Sequence, residues 1–378
     1  MYKSHIIRLY PTKEQEELMW KHINCCRYIW NYMFALQIER YKNGEKHLSR
    51  FDMINLLNPI KKEEDKKWLN EVSNKSLSVI CTDLSNAYNR FFNKINKYPK
   101  FKSRKKSKAI FPTRGESLWF SEIIVKLEKI GKVKYKTDYK MPIGKGYKFY
   151  NPRVTYTNGK WILTIDIECE NQTPVLTDKP MGIDLGIKET MTVAYGNECI
   201  VFHNINKSKT IRTLKRKIKN LQRSISRKYE ANRQGNKYIK TKNIERLEEK
   251  LRRMYAHLAN IRNNYIHQCT HKLVLLLPSK VVMEDLNVQG MMKNKHLSKA
   301  IAEQCFYEII RQMKYKCEWN GIPFYQVDRF YPSSKTCSCC GHVKSDLKLS
   351  DRTYTCSECG TVIDRDLNAA INLQRYTA

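Results

Sequence analysis

The apolar positions of this chain change their period along its length, and each change marks a new element. Residues 3–10 alternate weakly and predict a strand, after which Pro11 opens a helix with Thr12 and Gln15 at capping-box spacing and Leu18, Cys26, Ile29 and Met33 as its buried stripe. A second amphipathic helix is predicted over residues 76–94, where Leu77, Ile80, Leu84, Ala87, Tyr88 and Phe91 recur mostly at intervals of three or four. Residues 11–98 therefore read as a helical block. The stretch RVTYTNGKWILTIDIE then alternates at period two around Asn158-Gly159, a pair favoured by type I′ hairpins because both residues tolerate positive φ. Residues 109–178 read mostly as strands.

From residue 179 the pattern restarts. KPMGIDLGI, ETMTVAYG and ECIVFHN predict three short strands, most simply antiparallel. Leu214, Ile218, Leu221 and Ile225 give one helical arm a narrow apolar seam, and Leu247, Leu251, Met254, Leu258 and Ile261 give a second arm its own, with a break near Gly235. A helical hairpin follows, its second arm running to about residue 277. SKVVMEDL is a strand ending in acid, residues 297–319 read as one helix, IPFYQVD is another strand, and residues 364–373 form a closing helix after a cysteine-rich segment. Three strands, helix, strand, helix, strand, helix is the ribonuclease H order, with inserts after the third and fifth strands.

Charge narrows the partners. The 378 residues carry 70 Lys and Arg against 37 Asp and Glu, a formal charge of +33, in a chain with 23 Tyr, 12 Phe and 6 Trp. That balance points to a polyanion, nucleic acid first. Residues 207–253 alone hold eighteen basic and four acidic side chains, and PKFKSRKKSK at 99–108 holds six basic and no acidic ones, as a phosphate clamp or a solvated connector would. The apolar runs are far shorter than the ~20 residues of a spanning helix, so no membrane partner is expected. The N-terminus lacks an apolar core of signal-peptide length, and nine of the 13 cysteines stand outside C-x-x-C pairs. Both features predict a protein of the reducing cytoplasm.

The remaining four cysteines form Cys337-x-x-Cys340 and Cys356-x-x-Cys359, fifteen residues apart, each pair followed by a glycine (Gly341, Gly360). Four thiolates close a tetrahedral site, and a closed site is structural, because a catalytic zinc keeps one position open for water. One structural Zn²⁺ is therefore predicted, with Cys339 as a bystander. The acids carry the chemistry. Asp184 lies inside the apolar strand GIDLG, where a lone carboxylate is costly to bury, Glu284 ends VVME, and Asp364 and Asp366 begin the last helix. Acids at strand centre, strand end and helix start of this order suit phosphodiester hydrolysis with two divalent ions, Mg²⁺ or Mn²⁺, because hard cations take oxygen ligands. Spacing does not choose between Asp366, aligned with Ala370 and Leu373, and Asp364, aligned with Leu367 and Ile371.

GIDLGIK, MEDLNVQGM, FYPSSKTCSCCG, YTCSECG and IDRDLNAAINL together resemble the split RuvC nuclease and zinc ribbon of the TnpB family, transposon-encoded relatives of the compact type V CRISPR effectors. The match covers residues 179–378, and the opening HIIRLYPTKEQ, the helical block and the PKFKS linker fit the family's layout. The resemblance implies an α/β multidomain fold. Residues 1–10 are then the first strand of a β-rich wedge domain, 11–98 its helical recognition insertion and 99–178 the rest of the wedge. Residues 179–336 are an RNase H-like RuvC domain with a basic helical insertion at 207–275, 337–360 the zinc ribbon and 361–378 the final RuvC helix. It also implies that Asp184, Glu284 and Asp366 hold the metal ions, with Asp364 as helix cap. None of the three is substituted, although Cys305-Phe306-Tyr307 stands where relatives often carry a Trp. The implied activity is RNA-guided DNA cleavage beside a short flanking motif, with a guide RNA and double-stranded target DNA as partners and a monomer or weak dimer as the assembly. A guided repressor without cleavage and a transposase acting on transposon ends are the alternatives. The intact acids oppose the first, and the ribbon inserted before the last helix opposes the second.

Overall fold

A computed structural model of the chain describes residues 1–137, 141–144, 146–170, 173–348 and 351–377. Positions 138–140, 145, 171–172, 349–350 and 378, which fall within the predicted wedge, ribbon and final-helix segments, lie outside the described residues. The chain forms two compact units, Met1–Glu170 and Asn171–Ala378.

The first unit runs β1 (Tyr2–Tyr10), α1 (Lys13–Lys42), α2 (Arg50–Asn55), α3 (Leu57–Lys62), α4 (Asn74–Phe92), β2 (Ala109–Pro112), β3 (Trp119–Phe120), β4 (Ile124–Leu127), β5 (Gly131–Lys136), β6 (Phe149–Thr157) and β7 (Lys160–Glu168). The start of α1 is reciprocal: the Gln15 N–H donates to Thr12 Oγ1 at 3.3 Å and the Thr12 N–H to Gln15 Oε1 at 3.1 Å. Such a cap contributes about 1 kcal/mol. Cys26, Ile29 and Met33 are buried against the sheet and α4, and Leu18 is half-buried. The strands make one antiparallel sheet in the order β2-β6-β7-β1-β5-β4-β3, so the first strand lies in its middle and the helices are an insertion between strands of one sheet. Asn158 (φ 51°) and Gly159 (φ 75°) turn β6 into β7. The basic stretch 99–108 is fastened by its backbone: Trp30 Nε1 donates to the Lys100 carbonyl at 3.0 Å, and the Asn31 amide both donates to and accepts from Lys102 at 2.9 and 2.7 Å. Arg104, Lys105 and Lys106 stay exposed.

The second unit opens with β8 (Met181–Leu185), β9 (Glu189–Tyr195) and β10 (Glu198–His203), an antiparallel meander. The basic hairpin is α5 (Lys209–Ala231), the two-residue strands β11 (Arg233–Gln234) and β12 (Lys237–Tyr238), and α6 (Lys242–Val274). Its seam buries Ile211, Ile218 and Leu258, and at its base Glu303 receives Lys215 at 2.6 Å and Arg262 at 3.4 Å. Then come β13 (Val281–Glu284), α7 (Val288–Met291), α8 (Ser298–Gln304), α9 (Phe306–Trp319), β14 (Phe324–Val327), β15 (Thr353–Thr355), β16 (Val362–Asp364) and α10 (Arg365–Arg375). β13 lies parallel to β8 and β14 parallel to β13, giving a five-stranded sheet in the order β10-β9-β8-β13-β14. One point departs from the pattern-based expectation. Residues 297–319 are two helices, because Cys305 takes a left-handed conformation (φ 56°) while the preceding Gln304 side chain is drawn off to the Ile187 carbonyl and Thr190.

The two faces of this sheet have different tasks. Met181, Ile183, Val281 and Met283 point into an apolar core made with α6, α8 and α9. Their alternating neighbours Gly182, Asp184, Val282 and Glu284 belong to the other face, where Val282 meets Leu373 of α10. α10 lies so close over β8 that a Cβ on Gly182 would stand 2.1 Å from the Ala370 carbonyl oxygen, so this position needs glycine. Among the described residues no helix is long and apolar enough to cross a membrane.

Candidate active site

Strand register brings the first two acids together. Val281, Val282 and Met283 pair with Met181, Gly182 and Ile183, which sets Glu284 at the end of β13 beside Asp184 near the end of β8. α10 contributes the third: a Cβ on Gly186, just past β8, would stand 3.9 Å from Asp366 Oδ2. Burial, then Glu284 and Asp366, push the Asp184 carboxyl well above the usual range, against the pull of Arg365. Glu284 is raised as well, by burial first, while a hydrogen bond from Ser333 Oγ and the charge of Arg365 oppose that shift.

The two aspartates at the start of α10 divide their work. Asp364 is exposed, and its Oδ1 accepts the N–H groups of Asp366 and Leu367 at 2.9 and 3.1 Å, so its side chain is occupied as the N-cap. Asp366 is half-buried on the side of the buried Ala370 and Leu373, and its Oδ1 meets the Arg365 guanidinium at 3.2 Å. Asp184, Glu284 and Asp366 are hard oxygen donors gathered where Asp366 raises the two strand carboxyls and Glu284 adds to the shift of Asp184. That is the charge imbalance a divalent cation relieves.

The cysteines form a separate site. Cys337, Cys340, Cys356 and Cys359 place their sulfurs within 4.8 Å of one another, with the Cys337–Cys359 and Cys340–Cys356 pairs at 3.6 Å. Tetrahedral bonds of about 2.3 Å set neighbouring sulfurs near ~3.8 Å, so the cluster fits a zinc ion. Gly341 (φ 80°) and Gly360 (φ 71°) turn the two knuckles, and their N–H groups donate to the Cys337 and Cys356 carbonyls. The Thr361 hydroxyl and amide hold the Cys359 thiol down at about 6, which favours a thiolate. Cys339 is exposed and outside the cluster.

The ribbon is joined to the acids by its own chain. β15 pairs with β16, β16 ends at Asp364, and α10 begins at the next residue. From the other knuckle, the Ser338 N–H donates to Asn368 Oδ1 at 2.9 Å, while Asn368 and Asn372 each donate to the Thr336 carbonyl at 2.7 Å. The cysteine cluster thus fixes the start of the helix that carries Asp366. Sequence reasoning missed Ser333, Arg365, Asn368 and Asn372. Two asparagines four residues apart on the apolar side of a helix were the available signal, since Asn is a weak helix former unless its amide has a partner there.

Residues 306–373 match a family profile described as the TNB domain of Cas12f1-like proteins, residues 164–295 one described as "Probable transposase", and residues 1–46 one described as a helix-turn-helix domain, a span folded here as β1 and the single long α1. A Streptomyces pristinaespiralis protein described as "Putative RNA-guided DNA endonuclease" is 30% identical over 97% of this chain and 87% of its own. Escherichia coli K12 InsQ, similarly described, is 29% identical over 97% and 90%, and the TnpB-like protein L79 of Acanthamoeba polyphaga mimivirus is 23% identical over 98% and 72%. Among solved structures, Cas12f1 in a complex with sgRNA and target DNA gives a TM-score of 0.60 at 14% identity over 99% of both chains, a likeness of fold. Similarity to relatives along nearly the whole length, at up to 30% identity, establishes that the chain belongs to the TnpB family.

Proposed function

We infer that this protein is an RNA-guided DNA endonuclease whose RuvC-type site, on an RNase H-like sheet, hydrolyses phosphodiesters of a target selected by guide pairing. The observation that carries the reading is the convergence of Asp184, Glu284 and Asp366 from two adjacent strands and one helix start, in a chain colinear with relatives named as RNA-guided DNA endonucleases. These carboxylates would hold two Mg²⁺ or Mn²⁺ ions. When bound, such ions supply an activated water and stabilise the leaving oxygen. The chain's own part is positional. Ser333 orients Glu284, Arg365 balances Asp366, the Asp364 cap fixes the first turn of α10, and Asn368 ties that turn to the zinc knuckle. The basic hairpin of α5 and α6 supplies cationic surface for the RNA or the heteroduplex, which guided nucleases hold through the backbone rather than the bases. As a test, Asp184→Ala, Glu284→Ala and Asp366→Ala are each expected to abolish cleavage of target DNA while RNA and target binding persist. Full cleavage by any one of them would contradict the assignment of that residue.

A further inference from the structure

We propose that Phe330 is a stacking platform for one nucleobase of the DNA strand being cut, held at a fixed step from Glu284 by the turn 328–333. The proposal rests on the nuclease reading above and adds to it how the strand is presented. Phe330 is 87% exposed, and among the described residues it belongs to no apolar cluster and no aromatic pair. It lines a cleft of about 540 Å³ that also includes Glu284, Arg329, Ser333, Lys348 and Arg365, so the ring and one of the acids border the same space.

The turn that presents the ring is anchored on both sides of it. The Phe330 N–H donates to Asp328 Oδ1 at 2.8 Å, and the Tyr331 N–H to the Asp328 carbonyl at 3.0 Å. Tyr331 turns inward, edge-on to Tyr376 with ring centroids 5.5 Å apart, and its hydroxyl donates to the Asn372 carbonyl at 3.3 Å. Ser333, 2% exposed, donates to Glu284. Arg329 is paired with Asp285 at 3.0 Å. Residues on each side of Phe330 are therefore fixed to the acid-bearing strand and to α10, and the ring between them points outward. An exposed aromatic face beside cations is the combination that binds single-stranded nucleic acid, bases on the ring and phosphates on the cations. Stacking accepts any base, as a guided nuclease requires at its cutting site, and this chemistry favours a nucleobase over a peptide as occupant.

The test uses the full chain with its copurified RNA and a single-stranded DNA bearing 2-aminopurine at successive positions, in an Asp184→Asn background that leaves the strand uncut. Fluorescence is expected to be quenched at one position. Phe330→Ala should relieve that quenching and weaken strand binding about tenfold, the lower range for loss of one stacked base, whereas Phe330→Trp should retain both. With Asp184 restored, Phe330→Ala should slow cleavage of an intact strand and leave unchanged the rate on a strand abasic at the quenched position. Unaltered quenching and affinity in Phe330→Ala would overturn the platform. Failure of the nuclease reading would appear differently, as absence of cleavage by the wild-type complex.

Discussion

Asp184 sits where a carboxylate costs the free protein stability, since it is buried and faces Glu284 and Asp366. Removing its charge should help the metal-free fold. Asp184→Asn is predicted to raise the melting temperature of chelator-treated protein at neutral pH, and Mg²⁺ should then raise that of the wild type far more than that of the variant, as calorimetry can read. Asp364 makes the opposite prediction. Its oxygen caps α10, so Asp364→Ala should lower stability by about 1 kcal/mol in denaturant titrations and keep cleavage within a few-fold. Lys316 offers a pH signature away from the acids. Its ammonium donates to the His267 carbonyl at 3.0 Å and to Thr270 Oγ1 at 2.6 Å, and burial pulls its pKa down to about 8. The unfolded chain then holds a proton that the folded chain has lost, from about pH 8 up to the ordinary lysine range. Stability should gain a positive pH slope across that window, and Lys316→Met should remove that component.

The elements whose residues state their own periodicity were legible in the sequence. β1, the α1 capping box, the Asn158-Gly159 hairpin, the antiparallel meander, the existence of two later strands and the basic helical hairpin follow from spacing, whereas the parallel pairing of those later strands does not. What was not legible depends on partners far away in the chain. The break at Cys305 coincides with a left-handed backbone there and with side-chain hydrogen bonds linking Gln304 to Ile187 and Thr190, and no residue near position 305 announces either. The short helices α2 and α3 are too brief to show a period. The requirement for glycine at 182 comes from α10, nearly two hundred residues later. The candidate acids could be named from strand ends and a helix start, but the hold of Ser333 on Glu284 and of Asn368 on the ribbon is a tertiary fact. That hold is testable at the scale of the ribbon. Elemental analysis should find one zinc per chain, and Cys356→Ser should lose both zinc and thermal stability, because structural zinc binding is folding free energy. Asn368→Ala should instead keep the zinc while slowing cleavage, since it removes one of the two asparagine amides that tie the knuckle to α10 and leaves Asn372 as the other. Zinc loss without any change in melting or cleavage would contradict the ribbon's role.

At the scale of the molecule, a formal charge of +33 makes tight binding to any polyanion unsurprising, and steep weakening with salt would follow for guided and unguided nucleases alike. The guided reading makes a narrower claim: the protein supplies the cutting site and base pairing supplies the address. The measurement that reaches this claim most directly is cleavage by the purified complex after exchange of the guide segment of its RNA, with no residue of the protein changed. Cutting should move to DNA matching the new guide beside the same flanking motif, and Asp366→Ala should abolish it at the old and new targets alike. Continued cutting of the original DNA after the exchange, or full activity of RNA-free protein, would contradict it.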